Sequence, residues 1–137
     1  MLYSKPYIKI PSVRRADGSV EITSRAVGVR MSIINLTPHA INFVTESGEE
    51  LVTIDPSGSL ARVTTTTVTL GSLNGIPVTQ TVYGEVEGLP DPTPDTVYIV
   101  SSLVASRVPE RDDVFIPNES IRDDKGRIIG CRSLGRV

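Results

Sequence analysis

Asn74-Gly75 sits between two runs rich in valine and threonine, and no other feature of the chain limits its fold as strongly. Asn-Gly is the dipeptide best suited to the positive φ angles of a tight hairpin turn. Upstream, Val68 and Leu70 alternate with Thr67 and Thr69, the two-residue period of a strand. The spacing predicts a long strand over residues 59–70, a turn at 73–75 and a return strand over 78–86. The threonine run Thr64 to Thr67 favours the same geometry, because a branched Cβ packs well on a pleated surface. Aromatic residues are only 4% and tryptophan is absent, so a core must be assembled from Val, Ile and Leu. At 137 residues the chain is long enough to bury one.

The rest of the chain extends this pattern. Residues 1–30 form an N-terminal extension or hairpin arm, with candidate strands at 2–10 and 20–29 around a turn at 16–19. Met31 then begins a core domain, 31–137, in a stretch that reads like a second chain start. Strands are expected at 32–36 and 41–45 around Thr37-Pro38-His39, where Pro38 cannot donate to a ladder and marks a bend. A further strand covers 50–54, and the apolar run 97–100 reads as a buried one. Ser101 or Ser102 can cap a short helix over 103–108, which Pro109 ends. Residues 114–116 are extended. A last hairpin joins 121–122 to 127–134 across Asp123-Asp124-Lys125-Gly126. Six to nine strands and one short helix make a β-rich α+β domain built on an antiparallel sheet.

Charge and composition remove several classes of function. The net charge is −2. Residues 1–30 carry six Lys/Arg and two Asp/Glu, whereas 31–137 carry eight and fourteen. An acidic surface repels nucleic acid polymers, so an anionic partner must be small and held by a few arginines. A single cysteine excludes an intramolecular disulfide and a cysteine-rich zinc site, and a single histidine excludes a multi-histidine metal site. No apolar run of about 18 residues is present, and the N-terminus lacks the apolar stretch of a signal peptide. The reading is a soluble cytoplasmic protein with no membrane partner and no cofactor.

The tripeptide Arg-Asp-Asp occurs twice, at 111–113 and 122–124. Adjacent acids on a strand point to opposite faces and cannot both ligate one ion. The second copy reads as a hairpin turn with Gly126 at positive φ, and in the first a buried carboxylate accepting backbone N–H bonds is expected. Cys131 lies in a strand beside Arg132, which can lower a thiol pKa, but its only imidazole candidate, His39, follows a proline near the other end of the domain. A core role fits this cysteine better. A hydrolase would have to activate water with Asp112 or His39. What remains is arginine: Arg107, Arg111, Arg122, Arg127, Arg132 and Arg136 fall within thirty residues. Guanidinium groups suit bidentate contacts with phosphate or carboxylate. Arg107 and Arg111 would share a helix face if the helix ran that far. Salt bridges to neighbouring acids and a shared anion site both stay open for this cluster.

A series of ordered blocks resembles a known group: NLTPHAI (35–41), PSGSLARV (56–63), NGIPV (74–78), YGEVEGLP (83–90), YIVSSLV (98–104), RDDVFIP (111–117) and IRDDKGRIIGCRSL (121–134). Covering about three quarters of the chain, they resemble small phage and prophage proteins that include the Thoeris anti-defence sponges. That resemblance implies a binder, not an enzyme, which sequesters a cyclic ADP-ribose isomer or a cyclic oligonucleotide immune signal in the host cytoplasm. It implies a homo-oligomer, dimer or hexamer, with pockets between subunits. It assigns pyrophosphate or base contacts to Arg62, Arg111 and Arg122, adenine stacking to Tyr83 and Tyr98, and pocket lining to Pro117; Arg107 joins them from the arginine cluster. The sequence departs from the group in its first thirty residues and at Gln80, where many relatives carry arginine. The alternative is a structural or virion-associated oligomeric β protein with no small ligand.

Overall fold

β-branched residues and the scarcity of long helical periods commit this chain to strands, and the structure, a computed structural model, has ten of them among the residues it describes (12–14, 19–23, 30–45 and 47–137). In chain order they are β1 (Ser12–Arg14), β2 (Val20–Thr23), β3 (Arg30–Asn35), β4 (Ile41–Val44), β5 (Glu50–Ile54), β6 (Arg62–Leu73), β7 (Ile76–Glu87), β8 (Thr96–Ile99), β9 (Val114–Arg122) and β10 (Ile128–Gly135). One helix, α1 (Ser102–Arg107), lies between β8 and β9. The fold is the β-rich α+β type that the sequence predicts.

Eight strands form one sheet in the order β1-β2-β3-β8-β9-β10-β4-β5, and β6 pairs only with β7. The sheet is mixed. β3–β8, β8–β9 and β10–β4 are parallel, where the sequence reading expects an antiparallel sheet throughout. For β8–β9 the difference arises because α1 carries the chain back over the sheet, which a tight hairpin cannot do, while β3–β8 and β10–β4 pair strands that are far apart in the sequence. The N-terminal hairpin β1–β2 continues the sheet beyond β3, and Val20 is buried in the main core. The expected strand at 2–10 lies outside the described residues.

Two cores flank the central strands. Ile33, Ile41, Phe43, Val52, Ile54, Ile99 and Cys131 form one. Leu36, Ala61, Tyr98, Val100, Val104, Ala105 and Val114 form the other, beneath α1 and the base of the β6–β7 ribbon. Strand β8 feeds both by alternation, with Ile99 on one face and Tyr98 on the other, so it reads as the continuous apolar run of a doubly covered strand. Strand β9 also serves two neighbours. Val114 and Phe115 pair with β8, and from Ile116 onward the strand pairs with β10. Pro117 falls in the second part, where β9 has a partner on one side only and a missing donor is tolerated.

The first core closes because β5 returns beside β3. Asn35, fully buried at the end of β3, makes the join. Its amide donates to the carbonyls of Ile54 (3.1 Å) and His39 (2.8 Å). Its carbonyl oxygen accepts from the Thr37 backbone N–H (2.9 Å) and hydroxyl (2.7 Å). The Asn-Leu-Thr-Pro-His segment is therefore a clamp between two strands, with Pro38 and His39 exposed on the turn. Replacing Asn35 by alanine removes all four of these bonds, including the buried one to the Ile54 carbonyl, at about 1 kcal/mol or less each, so urea unfolding of Asn35→Ala is expected to show a loss of about 2–4 kcal/mol.

Candidate ligand-binding residues

The predicted residues divide into three groups. The first is structural. Arg111 grips Asp113 in a bidentate pair, Nε to Oδ1 at 2.7 Å and Nη2 to Oδ2 at 2.8 Å. Its Nη2 also donates to the Pro90 carbonyl at 2.9 Å. Side chains at 16% and 12% exposure make this a largely desolvated pair, so its hydrogen bonds are stronger than those of a surface bridge. They hold the Asp113 carboxyl below the usual carboxylate range, against a burial effect acting the other way, and push the Arg111 guanidinium up. Asp113 is thus the expected largely buried carboxylate with a backbone N–H bond, and its strongest partner is the arginine of its own motif. Helix α1 stops at Arg107, so Arg111 does not share its face; Arg111 reaches back to the loop before β8 instead. Tyr98 is 2% exposed and packed in the second core, its hydroxyl 3.4 Å from that of Thr93. No ring face of Tyr98 is open within one chain.

The second group belongs to the last hairpin. Arg122 donates from Nη1 to the Gly126 carbonyl at 2.7 Å. Asp123 accepts from the backbone N–H groups of Lys125 (2.9 Å) and Arg127 (3.0 Å) and from Arg127 Nε (2.9 Å). The backbone N–H of Arg127 leads the contacts that hold its carboxyl below the usual range. Gly126 takes the positive φ, +79°, as turn chemistry requires. Asp123 thus acts as a turn residue. Pro117 stands apart from both groups, beside Ala40, Ile41, Asn42 and Gly130 in a shallow cleft of about 260 Å³. Cys131, at the floor of that cleft, is buried, and burial raises its thiol pKa, the direction opposite to that of a nucleophile. Among the described residues no three of His, Cys, Asp or Glu are grouped to hold a metal ion, and no helix is long and apolar enough to cross a membrane.

The third group surrounds the base of the β6–β7 ribbon. Arg107, the last residue of α1, places its guanidinium 5.8 Å from the centre of the half-exposed Tyr83 ring, a cation–π contact. Arg62, the first residue of β6, is 73% exposed at its side chain and makes a loose pair with Glu87 at 3.7 Å. Plain alternation puts Tyr83 opposite Thr66 and on the same face as Arg62. The observed register is different: Val63 pairs with Val86 but Thr65 with Tyr83, so β7 carries one extra residue there. This bulge turns Tyr83 to the face of Val63 and Val86, the face packed on the second core and α1. Arg62 stays on the opposite face. Gly84 makes the bulge possible, because a Cβ on it would lie 2.1 Å from the Thr64 hydroxyl oxygen. A glycine inside a strand pattern is the signal that anticipates such a bulge. In sum, the structure joins Tyr83 to Arg107, separates them from Arg62 by the thickness of the ribbon, and engages Arg111 and Arg122 in local contacts.

Compared with protein-family models, with curated proteins and with solved structures, the chain matches none. The groups described above therefore stand on geometry. Because the Asp113 pKa is lowered on folding, its contribution to stability is complete above the ordinary carboxylate value and is lost as pH falls through the lower folded value. Asp113→Asn is expected to cost about 1–3 kcal/mol at neutral pH. In urea titrations at stepped pH, the gap between variant and wild type should narrow progressively below about pH 4.

Proposed function

We propose that the protein is a phage-encoded, non-catalytic binder that sequesters a small cyclic nucleotide immune signal, a cyclic ADP-ribose isomer or a cyclic oligonucleotide, in the cytoplasm of an infected cell as a homo-oligomer. The observation that carries the reading is the Tyr83–Arg107 pair. A half-exposed aromatic ring with a guanidinium over one face offers the two contacts a nucleotide needs, the exposed remainder of the ring for base stacking and a cation for phosphate. Stacking is worth about 1–3 kcal/mol per base, and each charge-assisted contact a similar amount, so a few such contacts from adjoining subunits reach nanomolar affinity, about −12 kcal/mol. Sequence resemblance to the anti-defence sponges supports the choice of ligand.

Calorimetric titration with cyclic ADP-ribose isomers and cyclic trinucleotides tests this. One of them is expected to bind stoichiometrically and to return intact after heat denaturation of the complex. Tyr83→Leu and Arg107→Ala are each expected to weaken binding about 10- to 100-fold, the loss of one stacking or charge-assisted contact. Heat from none of these ligands removes the proposal, and a degraded ligand replaces it with hydrolysis. A second reading, a structural or virion-associated β oligomer without a small ligand, is favoured by the long exposed β6–β7 ribbon.

A further inference from the structure

The β6–β7 ribbon carries a second feature, independent of the Tyr83–Arg107 pair. Between Val63 and Gly84 there is no charged residue, although Arg62 precedes this stretch and Glu85 follows it. The pairing register sorts its side chains cleanly. Thr66 faces Val82, Val68 faces Gln80 and Leu73 faces Ile76, while the extra residue at Leu70–Gly71 opposes Val78. One face therefore presents Val68, Leu70, Leu73, Ile76, Val78 and Val82. A shared dent at the tip, lined by Leu70, Leu73 and Val78 among others, agrees with this assignment. The other face pairs Thr67 with Thr81 and Thr69 with Thr79. The apolar face looks away from α1 and is open: Leu70 is 62% exposed, and Leu73 and Ile76 are 68% exposed.

A two-stranded ribbon with one bare apolar face is marginal in water, and a contiguous apolar patch of several hundred Å² marks a contact surface. We propose that this face packs against the same face of a second copy of the chain, the two ribbons stacked antiparallel about a two-fold axis near the Val68–Gln80 pair. Charge favours this occupant. The partner face must be uncharged and mostly apolar, and the ribbon's own face meets both conditions, apolar from Val68 and Val82 to the tip and continued by the uncharged Thr66 toward the base. Size favours it too: about 35 Å of ribbon, two strands wide, exposes roughly 500 Å² per copy once side-chain relief is included. Two copies then bury roughly 1,000 Å², the threshold for a specific contact. Gln80 interrupts the apolar face near its middle, where a two-fold axis brings its amide to the amide of its counterpart and each can both donate and accept. A lipid surface would leave that amide unpaired and would meet Glu85 and Glu87 at the base of the ribbon, so lipid is the poorer occupant.

The test is sedimentation velocity of the full chain across a micromolar concentration series. Wild type is expected to sediment as a dimer or an even multiple of it. Leu73→Asp with Ile76→Asp should weaken self-association about 100-fold or more, because each copy loses its two most exposed apolar side chains and carries two buried carboxylates into the contact. Thr67→Asp with Thr79→Asp, on the other face, should leave the mass unchanged. Circular dichroism on each variant checks that the sheet is retained. Gln80→Cys in a Cys131→Ser background should cross-link to its counterpart with a short bismaleimide. A monomeric wild type overturns the proposal. So does an oligomer insensitive to the tip substitutions, one dissolved equally by the threonine-face substitutions, or ribbon-dependent flotation with neutral phosphatidylcholine vesicles. An oligomer insensitive to the tip substitutions overturns the ribbon contact alone, and absence of calorimetric heat from a tip-dependent dimer overturns the nucleotide reading alone.

Discussion

The closure of β5 onto β3, and with it the first core, depends on one buried amide. Asn35 is fully enclosed, and both its donors and its acceptor are used. Without that clamp, β3 and β5 approach each other with polar backbone groups inside an apolar core, a cost that Val, Ile and Leu packing has to offset. With it, the turn after β3 is fixed and the sheet curls around Ile33, Phe43, Ile54 and Ile99. The following segment is then tied in as well, since Ser57 donates its backbone N–H to the Asn35 carbonyl and Ala61 to that of Leu36. Those bonds set where β6 leaves the body, and hence where Tyr83 meets Arg107.

A second constraint sits at the root of the ribbon. Gly88 takes φ +82°, and a Cβ on it would lie 2.1 Å from the Leu60 carbonyl oxygen. The strand returning from the ribbon therefore passes directly against the strand entering it. Four residues earlier, the bulge at Gly84 switches faces. Together these two glycines give the ribbon its two-sided character, with Tyr83 and threonines on the side of the helix and the apolar residues on the side facing away.

The arginine cluster shows how proximity in sequence misleads. Six guanidiniums within thirty residues suggest a shared anion site. In the fold, Arg111 closes on Asp113, Arg127 on Asp123 and Arg122 on the turn carbonyl of Gly126. Arg136 donates to the Arg111 carbonyl at 3.2 Å. For Arg111, Arg122 and Arg127 a partner within four residues is available, and such a local pair costs little chain entropy to form. Arg107 differs because the helix ends beneath it and its neighbour across space is an aromatic ring.

The elements whose cause is local were legible in the order of the residues. Asn74-Gly75 set the ribbon turn, Ser101 capped α1 ahead of Pro109, and Asp123 with Gly126 shaped the last hairpin. Each depends on the φ preferences and hydrogen bonds of a few adjacent residues. The parallel pairings and the division of β9 between two neighbours were settled only by contacts between distant segments. Tertiary structure also decided the side of the ribbon on which Tyr83 emerges. A strand pattern has a period of two, so one extra residue at Gly84 reverses every face beyond it. Where that residue is inserted is set by the strand across the pair, which no local window of sequence contains.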